Sequence, residues 1–496
     1  MNGSIALLII LGYFGILMTI SFLTSRKSTS SSFFTGDRNS PWYVVAFGMI
    51  GATLSGITFI SVPGSVYMKG MSYMPMVVGF LVGYFVIGYV LIPLYYKLNL
   101  TSIYSYLKTR FGNYSFKTGS VFFLLSRTIG ASLRLFLAAE VLDIFLFTPL
   151  GIPYFLGIIL TITLIWVYTF KSGIKTIVWT DALQTACILI AVGVTVYFIK
   201  TDMDVSVIGL FDVVANSELF NFTGAHSPTE VSIALNLFNG VMIAIVMTGL
   251  DQDMMQKSLT CKNVGDSRKN MLWLGAVLIP VNFIFLSLGI LIFENYLGNG
   301  LSISTITDNG FPFDILANGD TIPIKSDRIY PALANYGYFP LWLSATFLIG
   351  LVAAAYSSAD SALTSLTTSF CLDILESESE KTRYLVHIGT SFVLVLVVLI
   401  FKWINDGSVI WLLFEWAGLT YGPLLGMFAV GIFTKIKVRD KFVPFIALAS
   451  VVISFAIKKY FGLGAEILIV NGVLTALGLI VISTKDKKSL SSVIDE

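Results

Sequence analysis

Apolar residues fall along this chain in repeated runs of about 17 to 28, the length of a bilayer-spanning helix, with short polar stretches between them. Runs near 5–23, 44–67, 74–98, 120–147, 152–170, 178–200, 235–255, 271–293, 339–372, 387–404, 409–433, 441–458 and 463–483 predict thirteen helices. The second run is interrupted. In Gly51-Ala52-Thr53-Leu54-Ser55-Gly56-Ile57-Thr58, glycines and hydroxyls stand where a membrane helix ordinarily carries Leu, Ile and Val. Backbone of this kind can leave helical geometry at membrane depth if its freed carbonyls face protein or a water-filled cavity. Secondary transporters hold their coupling ions at such breaks. Close packing of two helices through small residues accounts for the same stretch equally well.

Composition fixes the compartment. Of 496 residues, 56% are hydrophobic and only 12% charged, with a mean hydropathy of +0.84, so the chain reads as one membrane-embedded bundle with no room for a separate soluble domain. Cys187, Cys261 and Cys371 lie in or beside apolar runs and offer neither a disulfide framework nor a paired metal motif. With His226 and His387 the only histidines, a hydrolytic triad is poorly supplied, and no enzyme is expected. The first run is followed by Arg26 and Lys27, the reverse of a secretory signal. One set of alternate loops holds 22 Lys and Arg and the other 7, which places the N-terminus outside and the C-terminus in the cytoplasm of a multi-pass cell-membrane protein. Long external segments then fall at 201–231 and 295–338, the second rich in turn residues (Asn299-Gly300, Asp308-Asn309-Gly310, Pro312) that predict a cover over an outer mouth. Gly79, Gly83 and Gly88 punctuate one helix and predict close packing.

Ionisable residues inside the runs carry the functional signal, because an unpaired charge in lipid costs several kcal/mol. They are Arg127, Arg134, Glu140, Asp181, Asp251, Asp360 and Glu415. Arg127 and Arg134 are two helical turns apart and share a face. Arg127, nearer the cytoplasmic end, is expected to pair with a buried acid; Arg134 either does the same or meets an anionic substrate. In the run 339–372, Ala354, Ser357, Ser358 and Ser361 fall at spacings of three and four and form one stripe of small side chains and hydroxyls. Such a stripe serves helix packing or a hard cation, which chooses oxygen ligands. The adjacent Asp360 requires a cation or a proton.

Several of these segments resemble one family. Gly51-x-x-Leu54-Ser55-x-x-Thr58-Phe59 followed by Val62-Pro63 is similar to the first core helix of the sodium/solute symporter family, in particular its bacterial sialic-acid and sugar branch. Trp179-Thr180-Asp181-Ala182-Leu183-Gln184 resembles that family's fifth core helix. Asp251-Gln252-Asp253-Met254-Met255-Gln256-Lys257, continuing to Lys262-Asn263, resembles its DQxxxQR...KN signature with Lys257 in place of Arg, and Tyr421-Gly422-Pro423 also fits. The matches run in order along nearly the whole chain.

The resemblance implies an all-α, LeuT-type fold in a single domain spanning 1–496, with a leading helix at 5–23, inverted five-helix repeats at 43–200 and 235–433, each opening on a broken helix, and two trailing helices at 441–483. It implies Na+ as coupling ion, held at a main site by the carbonyls of Gly51, Leu54 and Ala354 and the hydroxyls of Ser357 and Ser358. A second cation site would join Asp181 to Ser357 and Ser361, with Asp360 standing where the sialic-acid branch has serine; it could take sodium or a proton. Ser55, Thr58, Tyr73, Arg134, Asp251, Gln252 and Glu415 are the residues implied for solute. The arginine that binds carboxylate in the sialic-acid branch aligns with Gly130, with Arg134 one turn beyond. The function implied is sodium-coupled import of a small polar solute, a sugar or sugar acid, by alternating access. A proton-coupled symporter and a solute sensor are the alternatives, the latter lacking an effector module in so short a tail. The expected partners are the solute and the lipid bilayer, with no nucleic acid and no obligatory protein.

Overall fold

α1 (Gly3–Ser25) leads the chain, and α2 (Trp42–Thr53) and α3 (Gly56–Lys69) follow as one span bent by 53°. The bend falls at Leu54 (φ −78°, ψ 62°) and Ser55 (φ −64°, ψ 174°), within the stretch of glycine and hydroxyl residues that predicts it. A computed structural model describes residues 3–25, 30–170, 173–224, 232–297, 329–335, 338–404 and 409–484. The turns expected around Asn299, Asp308 and Pro312 lie outside these.

α4 (Met74–Val86) is followed by α5 (Asn113–Leu142), which continues to Leu150 and reverses by 112° into α6 (Tyr154–Thr169). Gly151, at φ 67°, makes that reversal where a side chain would be strained, and Pro153 stands immediately before the next helix. α7 (Ile174–Asp202) comes next, then α8 (Ile233–Ala244), which runs to Gly249 and meets α9 (Gln252–Ser258) at a second break, bent by 70°. α10 (Val264–Ile292), α11 (Leu341–Ser369), α12 (Glu380–Ile404), α13 (Val409–Phe433), α14 (Val443–Phe461) and α15 (Ile467–Val481) complete the bundle. Among the described residues, eight helices are long and apolar enough to span a membrane, or up to eleven when each bent pair is one span. The predicted thirteen counts the 112° pair as two spans and includes the 15-residue α15.

Some helices begin earlier than their apolar runs because polar caps start them. α5 opens at Asn113 rather than 120 because the Asp440 carboxylate, from far along the chain, accepts the Tyr114 and Ser115 N–H groups, both at 2.8 Å. α10 opens at Val264 rather than 271 because the Asn263 side chain caps Asp266 N–H at 2.9 Å.

α7 lies along α11 and against α2, α5 lies along α13, and α2 also touches α11, the serine-bearing helix. α4 and α8 approach closely through glycine: a Cβ on Gly79 would run into the Leu237 carbonyl oxygen, and one on Gly240 into that of Met76. Gly88 does not share this constraint, since its nearest neighbour, Arg268 Cγ, would lie at 3.5 Å. Gly79→Leu is therefore expected to lower the unfolding midpoint in detergent, an overpacking penalty of at least about 1–3 kcal/mol, whereas Gly88→Ala leaves it unchanged. Equal midpoints for the two variants would remove glycine contact as the reason for this packing.

Candidate ion and solute sites

A cavity opens beside the first break, at Leu54 and Ser55. Of the residues implied for solute, Ser55, Thr58, Tyr73 and Arg134 line it. Thr53, Tyr84, Thr248 and Phe414 line it as well, and sequence reasoning missed these four. Two carried a signal: Thr53 precedes the break at Leu54, and Thr248 stands in the turn before the break at Leu250-Asp251, so each break has its threonine. The Tyr84 phenol is within reach of both threonine side chains. Tyr84 and Phe414 looked like any other aromatic in an apolar run. Tyr73 stacks on Phe414 with ring centroids 6.4 Å apart and an interplanar angle of 26°.

Two guanidinium groups touch this cavity, and they differ in their partners. Arg127 forms an ion pair with Asp253, the side chains 6% and 1% exposed, as its position near the cytoplasmic end suggested. Arg134 is partly buried and makes no ion pair within 4 Å among the described residues, and its Nε has no hydrogen-bond partner there. The charge left to meet a ligand is that of Arg134.

The structure places Asp251, Gln252 and Glu415 away from the cavity lining. Asp251 accepts the Tyr421 hydroxyl and caps α9, taking N–H groups from Asp253 at 2.8 Å and Met254 at 3.2 Å. Gln252 accepts Ile103 N–H at 2.9 Å and donates to the Thr101 carbonyl at 2.8 Å. Glu415 points to Lys458 of α14, with which it pairs. Polar side chains on a short helix among buried elements are drawn to the nearest unsatisfied backbone and charge, and α9 shows this along its length. Gln256 Nε2 donates to the Phe34 carbonyl at 2.7 Å and to Thr368 Oγ1 at 3.1 Å, and Lys257 reaches α7.

For the main ion site, α2 and α11 are in contact, and Ala354, Ser357 and Ser358 are buried on α11. The Ser358 hydroxyl finds no hydrogen-bond partner among the described residues. Gly51 presses against α7: its N–H donates to Thr185 Oγ1 at 3.0 Å, and a Cβ there would collide with the same oxygen. At the implied second site Ser357 donates to Asp181 Oδ1 at 2.7 Å, and Asp181 Oδ2 lies 2.8 Å from Lys257 Nζ. Asp360 accepts from Tyr168 O–H at 2.7 Å and from Ser361 at 3.2 Å.

A helical membrane bundle with two broken helices, buried hydroxyls on a helix that touches one of them and a cavity beside that break has the design of a secondary transporter. The structure superposes with a TM-score of 0.80 on a Na+-coupled sialic acid symporter solved in a substrate-bound, outward-open state, at 20% identity and covering 97% of this chain and 99% of that one. A nucleobase-cation-symport-1 family transporter, solved closed with bromovinylhydantoin bound, superposes at 0.56 with 16% identity, over 91% of this chain and 93% of that one. The fold is of LeuT type. The profile of the sodium:solute symporter family matches residues 33–439, and the chain belongs to that family. It is a transporter with sodium as its coupling ion. The sodium/sialic acid symporter NanT of Aliivibrio fischeri is 24% identical over 87% of this chain and 84% of its own length. The sodium/glucose cotransporter of Vibrio parahaemolyticus is 26% identical over 85% and 79%.

Proposed function

We propose that this symporter imports a hydroxyl-bearing sugar acid, bound in the cavity beside the first break. The observation that carries this reading is Arg134, a guanidinium without a counter-ion among the described residues, on a cavity that also presents hydroxyls, aromatic rings, apolar side chains and the already paired Arg127. Guanidinium matches carboxylate geometry in a bidentate pair, and such charge-assisted bonds are about twice as strong as neutral ones. Ser55, Thr58 and Thr53 offer donors and acceptors to a polyol, and the stacked Tyr73 and Phe414 offer a ring face. The sialic acid symporters among the relatives carry a solute of this chemistry.

In this reading 43–200 and 235–433 are the two repeats, each opening on one of the breaks, and the N-terminus lies outside. The carbonyls of Gly51, Leu54 and Ala354 and the hydroxyls of Ser357 and Ser358 hold the main sodium. An oxygen cage shared between α2 and α11 is complete only while the two helices are together, so sodium favours that state and its loss lets them part. The Ser358 hydroxyl, without a partner among the described residues, is the oxygen most in need of such an ion.

Thermal stability of the purified protein tests this across sugars, sugar acids, amino acids and small carboxylates, each in sodium and in choline. A solute at a hundred times its Kd adds about 2.7 kcal/mol. Sugar acids are expected to stabilise in sodium and not in choline, and Ser358→Ala to raise the sodium concentration required. Stabilisation confined to neutral sugars or amino acids would overturn the substrate class, and equal stabilisation in choline would overturn the sodium site.

A further inference from the structure

The group that reaches the implied second cation site is part of the chain. Lys257 is buried on α9, and its ammonium lies 2.8 Å from Asp181 Oδ2, with both side chains 1% exposed. The other oxygen of the same carboxylate is taken by Ser357, which belongs to the hydroxyl set implied for that site. Four side chains, that of the capping Asp251 and three of the helix itself, fix the short helix that carries Lys257: Asp251 on Tyr421, Gln252 on the 101–103 backbone, Asp253 on Arg127, and Gln256 on Phe34 and Thr368. The ammonium is therefore held toward α7. An ammonium is a compact point charge with three donors, able to sit among oxygens much as a monovalent cation does. A sodium ion on the same carboxylate would stand next to that charge in a low-dielectric interior, where like charges repel strongly. Asp360, the other acid beside this position, accepts hydroxyl donors from Tyr168 and Ser361.

We propose that the Lys257 ammonium, seated on Asp181 beside Ser357, fills the second cation site as a tethered cation, so that the main site is the one place where sodium binds. The proposal rests on reading Asp181, Ser357 and Ser361 as that second site. It departs from that reading by giving the position to the chain's own charge.

Binding of radioactive sodium alone to the full-length purified protein tests it, without need of a solute. The wild-type chain is expected to bind one equivalent with a Hill coefficient near one. Lys257→Gln, which empties the position, is expected to bind two equivalents with a Hill coefficient above one, while Lys257→Arg stays at one. Two equivalents in the wild-type chain would overturn the proposal, as would one equivalent in a Lys257→Gln protein that elutes and melts as a folded monodisperse species. Should Lys257→Gln fail to fold, the wild-type count decides alone: one equivalent supports the proposal and two overturn it. No sodium bound by the wild-type chain would instead overturn the main-site reading, so the two failures are told apart.

Discussion

Replacing Arg134 by Gln is expected to remove most sugar-acid transport while leaving the protein folded. The guanidinium is the one charge on the cavity without a partner among the described residues, so no internal ion pair is lost with it. On the proposed reading, what is lost is a charge-assisted contact to the solute carboxylate in a partly desolvated site, and truncating one member of such a pair costs about 2–5 kcal/mol. At about 1.4 kcal/mol per decade, KM for the acid should rise by more than tenfold. Arg134→Lys should recover only part of this, because a point charge does not reproduce the planar fork. Uptake kinetics with a sugar acid and its neutral sugar counterpart check the account: the acid should lose its advantage and the neutral sugar should be little affected. An unchanged KM for the acid in Arg134→Gln would remove Arg134 from the solute site.

Arg127→Met, seven residues away, should act on stability. Its partner Asp253 would be left charged and 1% exposed, and breaking a buried pair from one side costs about 3–5 kcal/mol. The double variant Arg127→Met/Asp253→Leu removes both charges and should regain most of the loss, since an apolar replacement of a buried pair is often neutral or better. Denaturant unfolding in detergent compares the three proteins. If Arg127→Met is as stable as the double variant, the ion pair does not hold α5 to α9 in the way described.

These two arginines also show how far the sequence could be read. That both lie within the bundle, on one face, follows from their spacing. That Arg127 is paired follows from the cost of a bare charge near the cytoplasmic end, but its partner, 126 residues away, was not legible. The first break could be placed because glycine, serine and threonine interrupt a long apolar run, and α2 and α3 meet at that point. The start of α5 could not, because its cap is Asp440, from a loop more than three hundred residues later. Asp251 and Gln252 mislead for a related reason. A polar residue at a break looks the same in sequence whether it serves a solute or a nearby backbone group, and here Tyr421, Ile103 and Thr101 take them. Lys257 carried the opposite lesson, for its departure from the family's arginine was visible while its seat on Asp181 was not.

α9 has only seven residues, and a helix of that length makes too few internal hydrogen bonds to persist by itself. Its shape is imposed by α5, α7 and α11, each gripping one of its side chains, and by α13, which holds the capping Asp251. Any stage of the transport cycle that moves these four helices apart must leave the heptapeptide with some of them or let it unwind. The local order of residues 252–258 is thus a gauge of the transporter's working state, and amide exchange in that one segment would report the cycle.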